Sequence, residues 1–482
     1  MPRTPVTTPS RWTALAVLCA GTLMIILDGS IVTVALPAIQ NELGFSDAGL
    51  TWTVNAYLIA FGGLLLLAGR LGDLLGRRHV LLAGLAVFTA ASVLCGIAAN
   101  PATLVAARFV QGAGGAMVAA VSLGMIVALF PEPGERGRAL GAYAFTGSAG
   151  ASIGQVLGGV LTDSLGWHWI FLINLPIGLA TAFLSVRVLH RDTGPGLAGG
   201  ADALGAALVT GGVMLGVYTI VQAEGSGWAS ARTLGLTALS LALLAAFTVR
   251  QAMAATPLLR LGMLRERAVW GANLIQILLV AALFSFQVLI TLYLQRVQGY
   301  GALESGMALL PAALAIGTFS LGFAARLITR FGPRAVLLAG LSLLTVGLFL
   351  LTRLPTEVFY VRDLLPTLLL SGGFGLAITA LTGLGMSAAG PENAGVASGL
   401  FNATQQIGGA LGVAVLSTLA SSRADALLTD GRSPASALTG GFELAFAVGA
   451  ALLLTALVLS ATVLRGAEPL PSDEPASAPA LP

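Results

Sequence analysis

The sequence predicts an all-α polytopic membrane protein: fourteen transmembrane helices arranged as two six-helix bundles plus an inserted helix pair. Three observations carry that prediction. Of 482 residues, 56% are apolar and only 9% charged, against roughly 25% charged in a soluble domain. A mean hydropathy of +0.91 is too much apolar surface for one core, so its solvent is lipid. The apolar residues fall into fourteen runs, each long enough for the helix of about 20 residues that crosses the hydrocarbon. Finally, part of the first half recurs in the second at a fixed offset.

The runs lie near 13–36, 50–69, 79–99, 102–128, 137–162, 168–189, 203–222, 232–249, 268–294, 303–325, 335–352, 363–388, 396–420 and 442–464. Only helices fit, because open strands in lipid leave backbone groups unpaired and these runs lack the dyad alternation of a barrel. The first run is too long for a secretory h-region, contains Asp28 and is not followed by a small-residue cleavage site, so it reads as a retained span. All 24 basic residues are Arg. With the N-terminus in the cytoplasm, 17 of them fall in inner segments and six in outer loops, while Arg108 lies inside a span. The positive-inside rule then predicts a multi-pass protein of the cell membrane with both termini cytoplasmic. Trp12, Trp52, Trp167, Trp169 and Trp270 fall at span ends and Trp228 in an adjacent loop, as an interfacial belt requires.

Gly69–Gly84 reads GRLGDLLGRRHVLLAG and Ala325–Gly340 reads ARLITRFGPRAVLLAG, identical at 9 of 16 positions at an offset of 256. Each copy is an inner loop running into the next span. The expected organisation is a cytoplasmic N-terminus (1–12), a six-helix bundle (13–189), an inserted pair with its flanking loops (190–267), a second bundle (268–464) and a disordered cytoplasmic tail (465–482). Two parallel repeats place a substrate site at midplane, at the interface between the halves, and imply alternating access by rocking.

The inner loop between spans 2 and 3 holds Gly69, Arg70, Gly72, Asp73, Gly76, Arg77 and Arg78. Gly76 can take the left-handed conformation that ends a helix. Asp73 can pair with an arginine or cap a helix terminus that approaches in only one conformation. A conformational latch is the favoured reading; plain topogenic charge is the alternative. The second copy has Thr329 in place of Asp73, so any latch is one-sided.

That loop resembles the signature of the major facilitator superfamily, and further matches follow in order. Arg108, Gln111, Gly112, Gly114 and Gly115 are similar to its R-x-x-Q-G-x-G element. LDGSIVTVALP (27–37), WHWIFLINLPIG (167–178, with His168 where Arg is usual) and FNATQQIGGALGVAV (401–415, with Gln405 where Arg is usual) resemble elements of its 14-span drug:proton antiporters of the EmrB/QacA type. The resemblance implies a proton-coupled exporter with Arg108 in the proton relay.

Asp28 is the one acid placed deep in a span, where burial without compensation costs about 2.5–3.5 kcal/mol on insertion scales. Desolvation favours its neutral form and a nearby arginine opposes that. Arg108 is the natural counter-ion. Proton coupling is preferred to a purely structural ion pair, because a buried pair is a weak stabiliser.

Gly150, Gly154 and Gly158, with Gly159 beside them, leave one face of span 5 bare for close helix approach and hinging. The run resembles G-x-x-x-G-P-x-x-G-G of antiporters, with Gln155 at the proline position. Asn55, Gln111, Gln155, Asn174, Gln276, Gln287, Asn402 and Gln406 are candidates for the substrate cavity; interhelical hydrogen bonding is the alternative for any one of them. Family members that expel divalent cations resemble this stretch of span 2 but carry an acid where this chain has Asn55. With one buried carboxylate, neutral or singly charged amphipathic substrates are expected.

No enzyme motif accompanies these features. His79, His168 and His190 lack metal-ligand spacing, and Cys19 and Cys95 lie in apolar runs as small packed residues. No nucleotide-binding or nucleophile-elbow motif is present, and a dispersed net charge of +3 makes no nucleic-acid surface. The expectation is a monomeric exporter of small amphipathic compounds, driven by protons across the bilayer, without cofactor or metal. A dedicated exporter of one self-made metabolite and a non-transporting sensor or scaffold are the competing readings.

Overall fold

The structure is a computed structural model and describes residues 11–45, 47–50, 52–192, 194–196, 202–254, 257, 261–300, 302–354, 366–387 and 394–464. The expected tail, 465–482, and residues 1–10 lie outside these. Among the described residues every regular element is helical, and fourteen long helices follow the order of the apolar runs. They are α1 (Arg11–Leu43), α2 (Trp52–Leu75), α3 (Arg77–Gly96), α4 (Pro101–Leu129), α5 (Pro133–Leu165) and α6 (His168–Leu172 continued as Asn174–Val188). Then come α7 (Ala203–Ser226), α8 (Ala231–Met253), α9 (Arg267–Arg296) and α10 (Ala302–Gly317, continued through Ala325–Phe331). The last four are α11 (Pro333–Leu350), α12 (Pro366–Ser387), α13 (Ala394–Thr429) and α14 (Pro434–Val463).

Thirteen of these helices are long and apolar enough to cross a membrane; in α5 the apolar stretch is only Val156–Leu165. The rest of α5 is rich in Gly, Ser and Thr, and the helix packs along α1, α10 and α12. Several helices outrun their apolar runs: α1 continues to Leu43 and α13 to Thr429. Hydropathy marks the stretch that suits lipid, and helix-forming sequence carries on beyond it.

Local chemistry sets the ends. Asn100 caps α4, its side chain accepting from Thr103 N at 2.9 Å, with Pro101 in the first turn. Gly76, at φ +95, joins α2 to α3 in a single residue. The Asp192 carboxylate accepts from Arg77 N at 2.6 Å and Arg78 N at 3.0 Å, capping α3. Helix α10 contains Pro311 and a π-helical stretch, Thr318–Ala324, an irregularity that re-aims the chain where α5 crosses it.

In the first half α1 packs on α5, α4 on α2 and α3, and α6 on α3 and α1; in the second, α9 packs on α13 and α14, and α11 on α12 and α14. The halves meet through α2 and α4 against α13 and through α5 against α10. Helices α7 and α8 pack on each other, and α7 lies against α2 and α13. At one end of this pair the buried Asp202 accepts from Gly205 N at 3.0 Å, Gln251 Nε2 at 2.9 Å and Arg250 Nε at 3.1 Å. Towards the other end Trp52 and Tyr218 lie 5.8 Å apart, and Trp228 Nε1 donates to Thr418 Oγ1 at 3.2 Å.

Candidate functional site

Asp28, midway along α1, is fully buried and Arg108 of α4 is 1% exposed. Arg108 Nη1 donates to Asp28 Oδ2 at 2.6 Å and to Gln111 Oε1 at 2.6 Å, and its Nε donates to the Thr53 carbonyl at 2.9 Å. The guanidinium lies over the Tyr57 ring, 4.4 Å from its centroid, and 5.7 Å from that of Phe171, a desolvated cation–π setting. Helix α4 comes this close to α2 because Gly112 faces the Tyr57 carbonyl, where a Cβ would collide.

The other carboxylate oxygen, Asp28 Oδ1, accepts from Gln111 Nε2 at 2.8 Å and Asn174 Nδ2 at 2.9 Å. The same two amides donate to Ser92 Oγ at 3.0 and 2.9 Å, and Ser92 donates to the Phe171 carbonyl at 2.9 Å. Five helices thus converge on one net-neutral ion pair, whose burial is offset by a shell of donors aimed at the ionised carboxylate. Thr53 Oγ1, the Tyr57 hydroxyl and Asn174 Oδ1 are buried here without a hydrogen-bond partner.

Of the polar candidates, then, Gln111 and Asn174 join Asp28 and Arg108; the others lie elsewhere. Asn55 is half-buried on α2, Gln287 is exposed on α9 and Gln406 is half-buried on α13. Gln276 is fully buried with neither amide atom partnered. Asn402 donates to Ser398 O of its own helix at 2.9 Å and, across the seam, to Ala119 O at 3.4 Å. Gln155 lies in α5, with its side chain outside the described residues.

Sequence reasoning missed Ser92, Tyr57 and the Thr53 carbonyl. A serine in an apolar helix bonds back to its own turn at little cost, so only Asn, Gln and charged residues stood out. Cys95, read as a packed small residue, is buried and lies 3.7 Å from Gln111 Oε1.

A second constellation sits at the seam. Asp73 accepts from the backbone N–H groups of Gly395 and Val396, both at 3.0 Å, and from Arg77 Nη2 at 3.1 Å. A carboxylate of the first half thereby caps α13 of the second, where charge and helix dipole reinforce each other. Gly69 lies against the Gly395 carbonyl with no room for a Cβ, and a Cβ on Gly72 would sit 2.6 Å from Val121. Arg78 donates to Val186 O at 2.7 Å, and the Nε of Arg70 is buried without a partner. On α5, Gly137 and Gly141 face Ala325 and Ser320 of α10, whereas Gly150, Gly154 and Gly158 face α1; Gly159 faces open space. The close approaches between the halves therefore cluster at the end carrying Asp73. An apolar cavity of about 1010 Å³ lies between α2, α4 and α7, lined by Phe45, Trp52, Val105, Phe109, Met214 and Tyr218. Among the described residues no three His, Cys, Asp or Glu side chains gather as a metal site would need.

Fourteen long helices, thirteen of them long and apolar enough to cross a membrane, with two halves that meet at one end and a buried ion pair in the first, define a transporter fold. The sequence profile of the Major Facilitator Superfamily matches residues 18–413, and the chain belongs to that family. It is 40% identical to the puromycin resistance protein pur8 of Streptomyces alboniger, covering 98% of this chain and 95% of that one. It is 38% identical to the cephamycin export protein CmcT of Amycolatopsis lactamdurans, over 86% of each. The human organic anion transporter MFSD10 has the same fold, with a TM-score of 0.68 at 16% identity over 94% of this chain and 100% of that one.

Proposed function

We propose that this protein is a proton-coupled exporter of small amphipathic organic compounds, an antibiotic or drug efflux antiporter of the cell membrane that works as a monomer by alternating access. The observation that carries the reading is the Asp28 carboxylate, buried and held by Arg108 at 2.6 Å, in a family whose relatives are named for antibiotic resistance and export. Protonating Asp28 cancels one partner of a neutral pair and leaves the Arg108 charge uncompensated. Proton and substrate then favour different states, and each lowers the affinity for the other. Each proton charge falling through 100 mV supplies about 2.3 kcal/mol.

With both termini cytoplasmic, the end closed by Asp73 is the inner one, and this is an inward-closed state. Gly69, Arg70, Gly72, Asp73, Gly76, Arg77 and Arg78 act as the latch of that state, and the bare face of α5 at Gly150, Gly154 and Gly158 as its hinge. Transport, with no chemical conversion of the substrate, is the whole activity.

The test uses everted vesicles and puromycin, the compound after which the relative pur8 is named a resistance protein. Puromycin is expected to dissipate a preformed pH gradient in vesicles holding the wild-type chain. In Asp28→Asn the dissipation is lost while binding remains. Equal dissipation in both, or accumulation that ignores the gradient, would overturn the coupling. A second reading, a dedicated exporter of one metabolite, is favoured by relatives whose names each carry a single antibiotic. Protection of a sensitive host against one chemical class alone would select it.

A further inference from the structure

Asp28 accepts every hydrogen bond it makes and donates none, as an ionised carboxylate does. Oδ2 accepts from Arg108 at 2.6 Å, and Oδ1 accepts from Gln111 at 2.8 Å and Asn174 at 2.9 Å. A protonated carboxyl has an O–H to donate and needs an acceptor. Among the groups touching it, Gln111 Oε1 already accepts from Arg108, and Ser92 Oγ already accepts from both amides while donating to the Phe171 carbonyl. Of the three unpartnered buried atoms at the site, Thr53 Oγ1 and the Tyr57 hydroxyl lie on side chains with no hydrogen bond to the carboxylate, which leaves Asn174 Oδ1, on a fully buried side chain. It belongs to the amide whose nitrogen already faces the carboxylate.

We propose that Asn174 is the positioning residue that reads the protonation state of Asp28, donating through Nδ2 to the carboxylate and turning its amide over to accept the acid proton through Oδ1. The inference rests on the proton-coupling reading and names the group that senses the coupling. A half-turn about the last side-chain bond exchanges the two atoms without moving the backbone. It also breaks the Asn174–Ser92 bond that ties α6 to α3, so a proton taken up on α1 loosens a contact between two other helices. The charged and titratable groups that face Asp28 are Arg108 on α4, Tyr57 on α2 and Cys95 on α3. None of these offers a free acceptor at hydrogen-bond distance from the carboxyl among the described contacts.

The test is pH-difference infrared spectroscopy on the full chain in lipid nanodiscs. Wild type is expected to show a hydrogen-bonded acid carbonyl band on acidification that is absent from Asp28→Asn. In Asn174→Leu that band moves to higher wavenumber, as for an acid with no acceptor. The titration midpoint moves by less than about half a pH unit, because both forms of Asp28 lose one bond. A side chain that only donates would instead leave the acid band in place and raise the midpoint by about one unit or more; that pattern overturns the inference. Should Asn174→Leu fail to fold, asparagine labelled in its side-chain carbonyl reads the same event in otherwise native protein. One labelled band moves to lower wavenumber on acidification and stays still in Asp28→Asn, whereas no movement in either overturns the inference. If wild type gives no acid band at all, the proton-coupling reading falls and takes this one with it; an acid band with a silent Asn174 removes only this one.

Discussion

The two copies of the repeated stretch, Gly69–Gly84 and Ala325–Gly340, build the same turn and then do different things. Both change helix through one glycine of positive φ, Gly76 at +95 and Gly332 at +80. Both use the shared arginine alike: Arg78 donates to Val186 O near the end of α6, and Arg334 to Ala461 O near the end of α14, each at 2.7 Å. They part at one residue. Asp73 reaches across the seam to the start of α13, whereas Thr329 turns its hydroxyl back onto Ala325 O and Arg326 O of its own helix. The same holds deeper in the bundle, where the position 256 after Asp28 is Phe284. The scaffold repeats in both halves, whereas among the described residues the buried Asp28–Arg108 ion pair lies in the first.

The strongest way to break that comparison is to remove one charge of the buried pair. Arg108→Leu strands Asp28 and is expected to cost about 3–5 kcal/mol, as for other buried pairs deprived of one partner. The Asp28→Asn/Arg108→Leu double variant, with no charge left to strand, recovers most of that loss. Phe284→Leu, at the matching place in the second half, is 41% exposed and is expected to cost about 1 kcal/mol or less. Thermal unfolding in detergent orders the three. A double variant no better than Arg108→Leu alone would mean that the site is held by packing and not by charge balance.

Next in size is the seam. Asp73→Ala removes two backbone hydrogen bonds to a carboxylate, each worth about 1.5–3 kcal/mol net, so the closed arrangement at that end should lose at least about tenfold in population, at 1.4 kcal/mol per tenfold. Thr329→Ala removes only bonds within one helix and is expected to stay within about 0.5 kcal/mol of wild type. Spin labels at the exposed positions Leu75 and Phe331 report the separation of the halves by pulsed resonance. Equal distance distributions in both variants would show that the close glycine contacts, and not Asp73, hold the end shut.

Much of this asymmetry is legible in the sequence, for a physical reason. Lipid makes helices obligatory and gives each a long apolar run, so the fold shows in composition and periodicity. A carboxylate in such a run is so costly that Asp28 and Arg108 stand out without any coordinates. Asp73 stands out less, since an acid at a helix end is ordinary and only the approach of α13 gives it a partner. Ser92 and Tyr57 did not stand out at all, because a hydroxyl in an apolar helix costs little and its neighbours are set by how five helices converge. Nor did the partition of α5, whose glycines at 137 and 141 face α10 while those at 150, 154 and 158 face α1. Spacing along one helix shows that a face is bare and says nothing of which helix fills it.

The inserted pair sharpens the comparison from outside, since its acid links neither half to the other. Burial pushes the Asp202 carboxyl up, but hydrogen bonds from Gly205, Gln251 and Arg250, with the charge of Arg250, hold it below the usual carboxylate range. A carboxylate depressed in the folded state stabilises that state above its unfolded value, near about 3.9, and loses the contribution as pH falls through the folded value. Amide exchange in the first turns of α7 should therefore accelerate, after correction for intrinsic rates, as pH drops below that range. In Asp202→Asn, which keeps a capping oxygen but has no proton to gain, the exchange should be flat with pH. The effect should stay within α7 and α8, because neither Asp28 nor Asp73 touches this pair. An acid-induced opening that began at α2 and α13 and persisted in Asp202→Asn would place the sensitive carboxylate at the seam instead.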